Sequence, residues 1–273
     1  MRKAMPAARV SGDMAITDQY RFERTPRWVR TVLNGTTVAD SRRASLLWEP
    51  SRLPVYAFPR EDVRMDLLQR SGERQDDPRG PTTLWTLTVG DRVARDAAWT
   101  VERPSEGCPD ISGHVVLSWK DMDTWYEEDD EVYVHPRDPY HRVDVQHSSR
   151  HVRVEMLGQT VAETSRPRLL FETGLPTRYY IPRQDARMDM LVPSGTVTKC
   201  PYKGTATYFG VRASGRLARD VAWTYQFPIP ECSKIENLLC FYDERVDAVY
   251  VDGERQEKAQ TPWSRAPVIV DVE

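Results

Sequence analysis

"VRTVLNGTTVADSRRASLLWE", residues 29–49, is written a second time as "VRVEMLGQTVAETSRPRLLFE", residues 152–172. Ten of the 21 positions are identical without a gap, at the offset of 123 that separates Glu49 from Glu172. The same offset carries Tyr56 onto Tyr179 and "PREDVRMDLL" (59–68) onto "PRQDARMDML" (182–191). After a one-residue insertion, "ARDAAW" (94–99) falls on "ARDVAW" (218–223). A period this long exceeds the 20–50 residues of stacked solenoid repeats, so the chain is a duplicated domain.

Each copy reads as all-β. "VRVEMLGQTVAET" alternates and breaks at Gly158, the pattern of a hairpin. "RLLFE", "TRYYIPR", "ATYFGVR", "DVAWTYQF", "NLLCFY" and "DAVYVDG" continue a meander with Gly, Pro or Asp-Gly between the runs. "DARMDMLV" (185–192) fits either a strand or a short helix after Pro182. The expected architecture is two small homologous antiparallel β domains packed as a pseudo-dimer, with few short helices. The expected segments are an N-terminal extension (1–27), a first repeat (28–146), a second repeat (147–253) and a C-terminal tail (254–273). Both terminal segments lie outside the repeat, to pack across the other copy or stay loose.

Bulk numbers exclude several classes. The chain has 273 residues, 40% hydrophobic and 29% charged, the proportions of a globular protein. A net charge of −3 gives no electrostatic drive toward nucleic acid or anionic membrane. No apolar run approaches the ~20 residues that span a bilayer, and no apolar core follows the basic residues of the amino terminus as in a secretory signal. Four cysteines, with no C-x-x-C pair, make neither a disulfide framework nor a standard zinc motif, so a cytoplasmic location is expected.

"VADSRRASLLWE", "FPREDVRMDLL", "HPRDPYHRVDV", "SSRHVRV", "ETGLPTRYYIPRQD", "CPYKGTATY" and "VAWTYQFP" together resemble the bacterial domain of unknown function 427, in tandem form, over roughly residues 28–253. The resemblance implies a small, mostly β domain in two copies. It carries a nucleotidyltransferase label but implies no defined substrate. Nucleotidyl transfer uses clustered carboxylates for Mg2+ and a phosphate cradle. The chain lacks both the Gly-Ser…Asp-x-Asp pairing and a G-x-x-x-x-G-K-[ST] loop.

The two copies also show where they differ. Glu49/Glu172, Arg60/Arg183, Asp62/Asp185, Arg64/Arg187, Asp66/Asp189 and Trp99/Trp223 are shared. They read either as an Arg/Asp lattice with a core tryptophan or as the floor of a pocket. "CPYKG" (200–204) falls on "DDPRG" (76–80), so Cys200 replaces Asp76, Lys203 replaces Arg79, and Gly204 matches Gly80. Tyr225 falls on Val101.

A cation beside a thiol favours the reactive thiolate, which makes Cys200 and Lys203 the candidate catalytic pair. With no histidine in the second repeat after His151 to serve as its base, Cys200 reads also, and more readily, as a ligand-contacting or packed thiol. The candidate ligand contacts are Glu172, Tyr180, Arg183, Asp185, Tyr202, Trp223 and Tyr225. Four histidines, His135, His141, His147 and His151, crowd the junction without the spacing of a zinc site, so no metal and no cofactor are assigned.

These readings lead to a cytoplasmic enzyme that binds a small anionic or carbonyl-bearing metabolite in the second repeat. A non-catalytic module binding a small ligand or a partner is the alternative, and nucleotidyl transfer comes third. Neither nucleic acid nor membrane is an expected partner.

Overall fold

The computed structural model describes residues 19–272. Among them there is no α-helix, only short 3-10 turns, and no helix is long and apolar enough to cross a membrane. The chain divides into two compact units between Asp138 and Pro139. The strand Val143–His147, which a boundary near residue 146 would cut, pairs along its length with Arg168–Glu172 and belongs to the second unit.

Each unit is a large antiparallel sheet with a smaller one packed on it. In the second unit the large sheet runs in the spatial order Val143–His147, Arg168–Glu172, Arg178–Ile181, Leu239–Phe241, Arg216–Pro228, Gly204–Ala213, Leu191–Cys200. The small sheet is Gln159–Thr164, Val152–Met156, Ala248–Val251, Glu254–Arg255. The first unit repeats this arrangement with seven and four strands.

Turn chemistry sets the hairpins. Leu157 and Gly158, like Asn34 and Gly35, both hold positive φ, so each β-hairpin closes through two left-handed residues whose twist matches the strands. The ambiguous 185–192 segment is neither one helix nor one strand. It forms two 3-10 turns, Arg183–Asp185 and Met188–Met190, split by extended Ala186, which bridges to Ala162.

The expected tails resolve differently. Arg21–Arg24, placed outside the repeat from sequence, pairs with Ser45–Trp48. Its register, Arg21 opposite Trp48, is that of Asp144 opposite Phe171. The first repeat therefore begins at this strand, whose sequence "RFER" shares nothing with "DVQH". At the other end, Ile269–Asp271 pairs with Arg216–Pro228 and Thr261 bonds to Glu244, so the C-terminal segment packs on the second copy itself.

Strand alternation gives the large sheet of the second unit two buried faces. Ile181, Phe209, Val211, Ala222, Leu239 and Phe241 point toward the small sheet and form the main core with Val152, Val154 and Met156. Tyr180, Tyr208, Trp223, Tyr225 and Cys240 point the other way, into a second cluster closed by Cys232 and Ile235. Period-two alternation makes this division obligatory: one sequence step moves a side chain to the opposite face.

The turn at Gly204 is pinned by Ile229 N–H donating to the Lys203 carbonyl, as Ser105 N–H donates to the Arg79 carbonyl beside Gly80. Both glycines hold left-handed φ, 103° and 112°. A Cβ at Gly80 would sit 2.5 Å from the Arg103 carbonyl oxygen, against 3.3 Å from the Phe227 carbonyl at Gly204. Alanine at either position is expected to lower stability by roughly 1–3 kcal/mol, with Gly80→Ala the costlier. Denaturant melts of the two variants check this; an unchanged midpoint in both would refute the shared turn constraint.

Candidate functional site

The second cluster of the second unit is organised around a buried ion pair. Glu172, at the end of Arg168–Glu172, receives the Lys203 ammonium on both carboxylate oxygens, at 2.6 Å for Oε1. The two side chains are 6% and 12% exposed. His141 Nε2 lies 3.1 Å from the same Oε1, and its ring stacks on Tyr202 at 4.2 Å between centroids. Burial by itself pushes the Glu172 carboxyl up. The Lys203 charge and the His141 hydrogen bond outweigh that and hold its pKa at about 2. Burial likewise opposes the Lys203 charge, but Glu172 and the neighbouring thiols raise its pKa above the ordinary lysine value. Lys203 is therefore an ammonium, not an amine nucleophile.

This contact shapes the sheet. Glu172 sits on the second strand of the spatial order and Lys203 on the turn joining the last two. Four strand spacings separate them, about 19 Å in a flat sheet, yet their charged atoms touch. The sheet is therefore curled, and its concave side carries Tyr180, Tyr208, Trp223 and Tyr225.

On that side Trp223 donates its indole N–H to the Tyr180 hydroxyl at 3.2 Å, and Thr198 meets the Tyr208 hydroxyl at 2.8 Å. Burial, with Tyr180, Cys200 and Tyr208 nearby, raises the Tyr225 hydroxyl well above its ordinary pKa, so it stays a donor. No described residue accepts its proton, and one of the three Lys203 N–H groups also lacks an acceptor among them.

Cys200 is half-buried at the end of Leu191–Cys200. Cys232 is buried with its Sγ 3.2 Å from the Tyr202 carbonyl; burial pushes its thiol up to about 11. Cys240 is fully enclosed and raised further.

Seven sequence-selected residues thus share this region: Glu172, Tyr180, Cys200, Tyr202, Lys203, Trp223 and Tyr225. Arg183 and Asp185 do not. Arg183 stacks on Phe209, on the main-core face, and donates to the Asn237 carbonyl. Asp185 accepts from Thr164 at 2.7 Å and from Arg166 at 3.0 Å. Their first-repeat counterparts behave alike: Arg60 stacks on Trp85, and Asp62 accepts from Ser41 and Arg43. Both therefore belong to the shared scaffold, where Asp185 pairs with Arg166. Arg187 pairs with Asp189.

The junction histidines diverge: His141 to Glu172, His151 to Glu163, and His135 Nδ1 to the Pro136 carbonyl. Among the described residues no three His, Cys, Asp or Glu side chains form a group that could hold a metal ion.

Sequence reading missed two features. One is the pair Cys108 and Cys232, at the same place in both repeats beside Ile111 and Ile235; the repeated C-x-x-I spacing signals it. The other is a buried charge group. Arg178 forks onto Glu244 at 2.6 and 2.8 Å, near the rings of Trp223 and Tyr242. Nothing in the repeat announces it, because Val55 and Lys120 occupy the equivalent positions.

The first repeat keeps the ion pair in another form. Glu49 and Arg79 lie 3.1 Å apart, both 7% exposed, and Arg79 also forks onto Asp77 while covering the Trp99 ring at 4.0 Å. A family model described as a domain of unknown function (DUF427) matches residues 21–128 and 144–252. No curated protein matches the chain.

Glu172→Gln leaves a buried ammonium without its counter-charge and is expected to cost about 3 kcal/mol at neutral pH. Because the folded carboxyl titrates at about 2 against 4.5 ordinarily, its contribution is complete above the unfolded pKa and is lost as pH falls through 2. The gap between wild type and Glu172→Gln in urea melts should therefore narrow from pH 6 toward pH 3. A gap that stays constant would refute the ionic origin.

Proposed function

We propose that this chain, which belongs to the DUF427 family through both of its repeats, uses the second repeat to bind a small carbonyl-bearing molecule on the concave aromatic face. One observation carries the reading. The first repeat builds the same face with Val55, Ala57, Leu84, Val101 and Val116, where the second has Arg178, Tyr180, Tyr208, Tyr225 and Cys240. At two further places the exchange runs the other way, Tyr20 and Phe22 against Val143 and Val145, so ring bulk is partly traded between strands. What the second repeat adds is Arg178 and a cluster of three tyrosine hydroxyls, which the fold of the first does without.

The chemistry of the face favours an acceptor ligand. Lys203 is already neutralised by Glu172, which disfavours a full anion, while its remaining N–H and the Tyr225 hydroxyl are donors suited to a carbonyl oxygen. Trp223 and Tyr180 supply apolar walls. The four free cysteines support a reducing compartment such as the cytoplasm.

A catalytic reading is favoured by one further fact: Cys200 is the half-buried thiol of the second repeat, whereas Cys232 and Cys240 are buried with raised pKa values. In that reading the Cys200 thiol adds across the carbonyl. Sulfur bonds to the carbon, the C=O π pair moves onto the oxygen held by Lys203, and the thiol proton ends on that oxygen, giving a hemithioacetal.

A thermal-shift screen of carbonyl-bearing metabolites is expected to yield a ligand that stabilises the wild type. Tyr225→Phe should weaken it about tenfold, the loss of one buried hydrogen bond of ~1.4 kcal/mol. A ligand insensitive to Tyr225→Phe and to Tyr225→Val would overturn the placement. Separately, iodoacetamide near neutral pH should label Cys200 at least tenfold faster than Cys232 or Cys240. Equally slow labelling of all three would leave binding alone.

A further inference from the structure

A different part of the second repeat departs from the first by losing bulk. In the first repeat Trp119 and Trp125 stack at 4.5 Å between centroids and 6° between planes, and Trp125 donates its indole N–H to the Trp119 carbonyl. Val132 pairs opposite Trp125 and is buried. At the equivalent places, 124 residues on, stand Asp243, Val249 and Gln256. The backbone is preserved, since Gln256 N–H donates to the Val249 carbonyl at 2.8 Å. The stacked indoles are absent from this place, and a cavity of about 380 Å3 opens there, lined by Asp243, Val249 and Gln256 with Asp247, Arg255 and Lys258.

The Asp243 carboxyl in its wall is 13% exposed, and its nearest cation is Arg178 at 4.0 Å. Arg178 is committed to Glu244 through two hydrogen bonds. Asp243 therefore has no side-chain hydrogen-bond donor among the described residues. Burial, with the Glu244 charge nearby, raises its pKa to about 7 against the opposing pull of Arg178 and a backbone N–H. A buried carboxyl of this kind is costly unless something else pairs with it. Arg255 donates to the Asp247 carbonyl, and the lining carries three acids, Asp243, Asp247 and Glu257, against two bases, Arg255 and Lys258.

We propose that this cavity binds a small planar cation bearing N–H donors, of the amidinium or protonated amino-heterocycle class, with its fork on Asp243 and its ring in the volume that the stacked tryptophans fill in the first repeat. The size falls within the range of small-ligand sites. A planar fork on a carboxylate gives two parallel charge-assisted hydrogen bonds, which an aliphatic ammonium does not. Val249 supplies an apolar wall, and Gln256, which spends one N–H on the Glu254 carbonyl, keeps its own carbonyl as an acceptor. The lining of the cavity shares no residue with the concave face, and Arg178 is the group that stands beside both.

Titration of the full chain with benzamidine, followed by calorimetry and by thermal shift, tests the assignment. Binding to the wild type is expected, with the isosteric neutral benzamide at least tenfold weaker. Asp243→Asn should weaken benzamidine tenfold or more, and Val249→Trp, which restores the first repeat's residue, should abolish binding. Tyr225→Phe, on the concave face, should leave it unchanged. Should Val249→Trp fail to fold, Asp243→Asn decides alone. The proposal is overturned if benzamidine does not bind the wild type, if benzamide binds as well, or if Asp243→Asn leaves the affinity intact.

Discussion

A buried carboxylate–cation pair closes the large sheet of each repeat on itself: Glu172 with Lys203, Glu49 with Arg79. Such a pair is a weak source of net stability, because desolvating two charges costs about what their attraction returns. Its effect is on shape. It joins the second strand of the sheet to the turn between the last two, a join that a flat sheet forbids. The concave face, the positions of Cys200 and Tyr202, and the enclosure of Trp223 all follow from that closure. The glycine after the cation makes the closure possible, since both repeats hold this residue in left-handed φ with the next segment's backbone against it.

The fold was legible because the chain states it twice. Twin runs fixed the strands, and Asn34-Gly35 and Leu157-Gly158 fixed the turn between two of them. What duplication could not reveal was pairing where identity had faded. "RFER" and "DVQH" occupy the same register on the same edge, and only the backbone shows it. Shared residues also misled in one respect. Arg183 and Asp185 look functional because both copies keep them, but both copies keep them to tie a 3-10 turn to a neighbouring strand or ring. Identity between repeats marks scaffold at Arg183 and Asp185, whereas Glu172 and Trp223, equally shared, lie in the candidate site. The Glu172–Lys203 pair was legible as a kept charge pattern. Arg178, Asp243 and Glu244 were not, because their meeting depends on sheet order.

Difference between repeats is the more informative signal. Along one face, five aliphatic positions of the first repeat become an arginine, three tyrosines and a cysteine. At the edge of the main core, two stacked tryptophans become an aspartate and a valine. The two changes alter different properties, although Arg178 of the first lies 4.0 Å from Asp243 of the second: the first adds both bulk and polarity, the second removes volume and adds a charge.

Neither change helps the fold. A buried arginine forked onto a glutamate replaces contacts that valine made without desolvation cost, and large apolar side chains lost from a core remove both transfer energy and dispersion contacts. The first repeat shows that the same backbone accepts the cheaper solution, so relaxation of the backbone does not explain the costly one. A sequence that keeps its scaffold residues while replacing its apolar lining in one copy has separated two tasks that a single domain must reconcile. The first repeat fills its interior. The second opens a cavity beside Asp243 and sets the Tyr225 hydroxyl among aromatic rings without an acceptor among the described residues. A buried polar group short of partners calls for an explanation that the fold alone does not give.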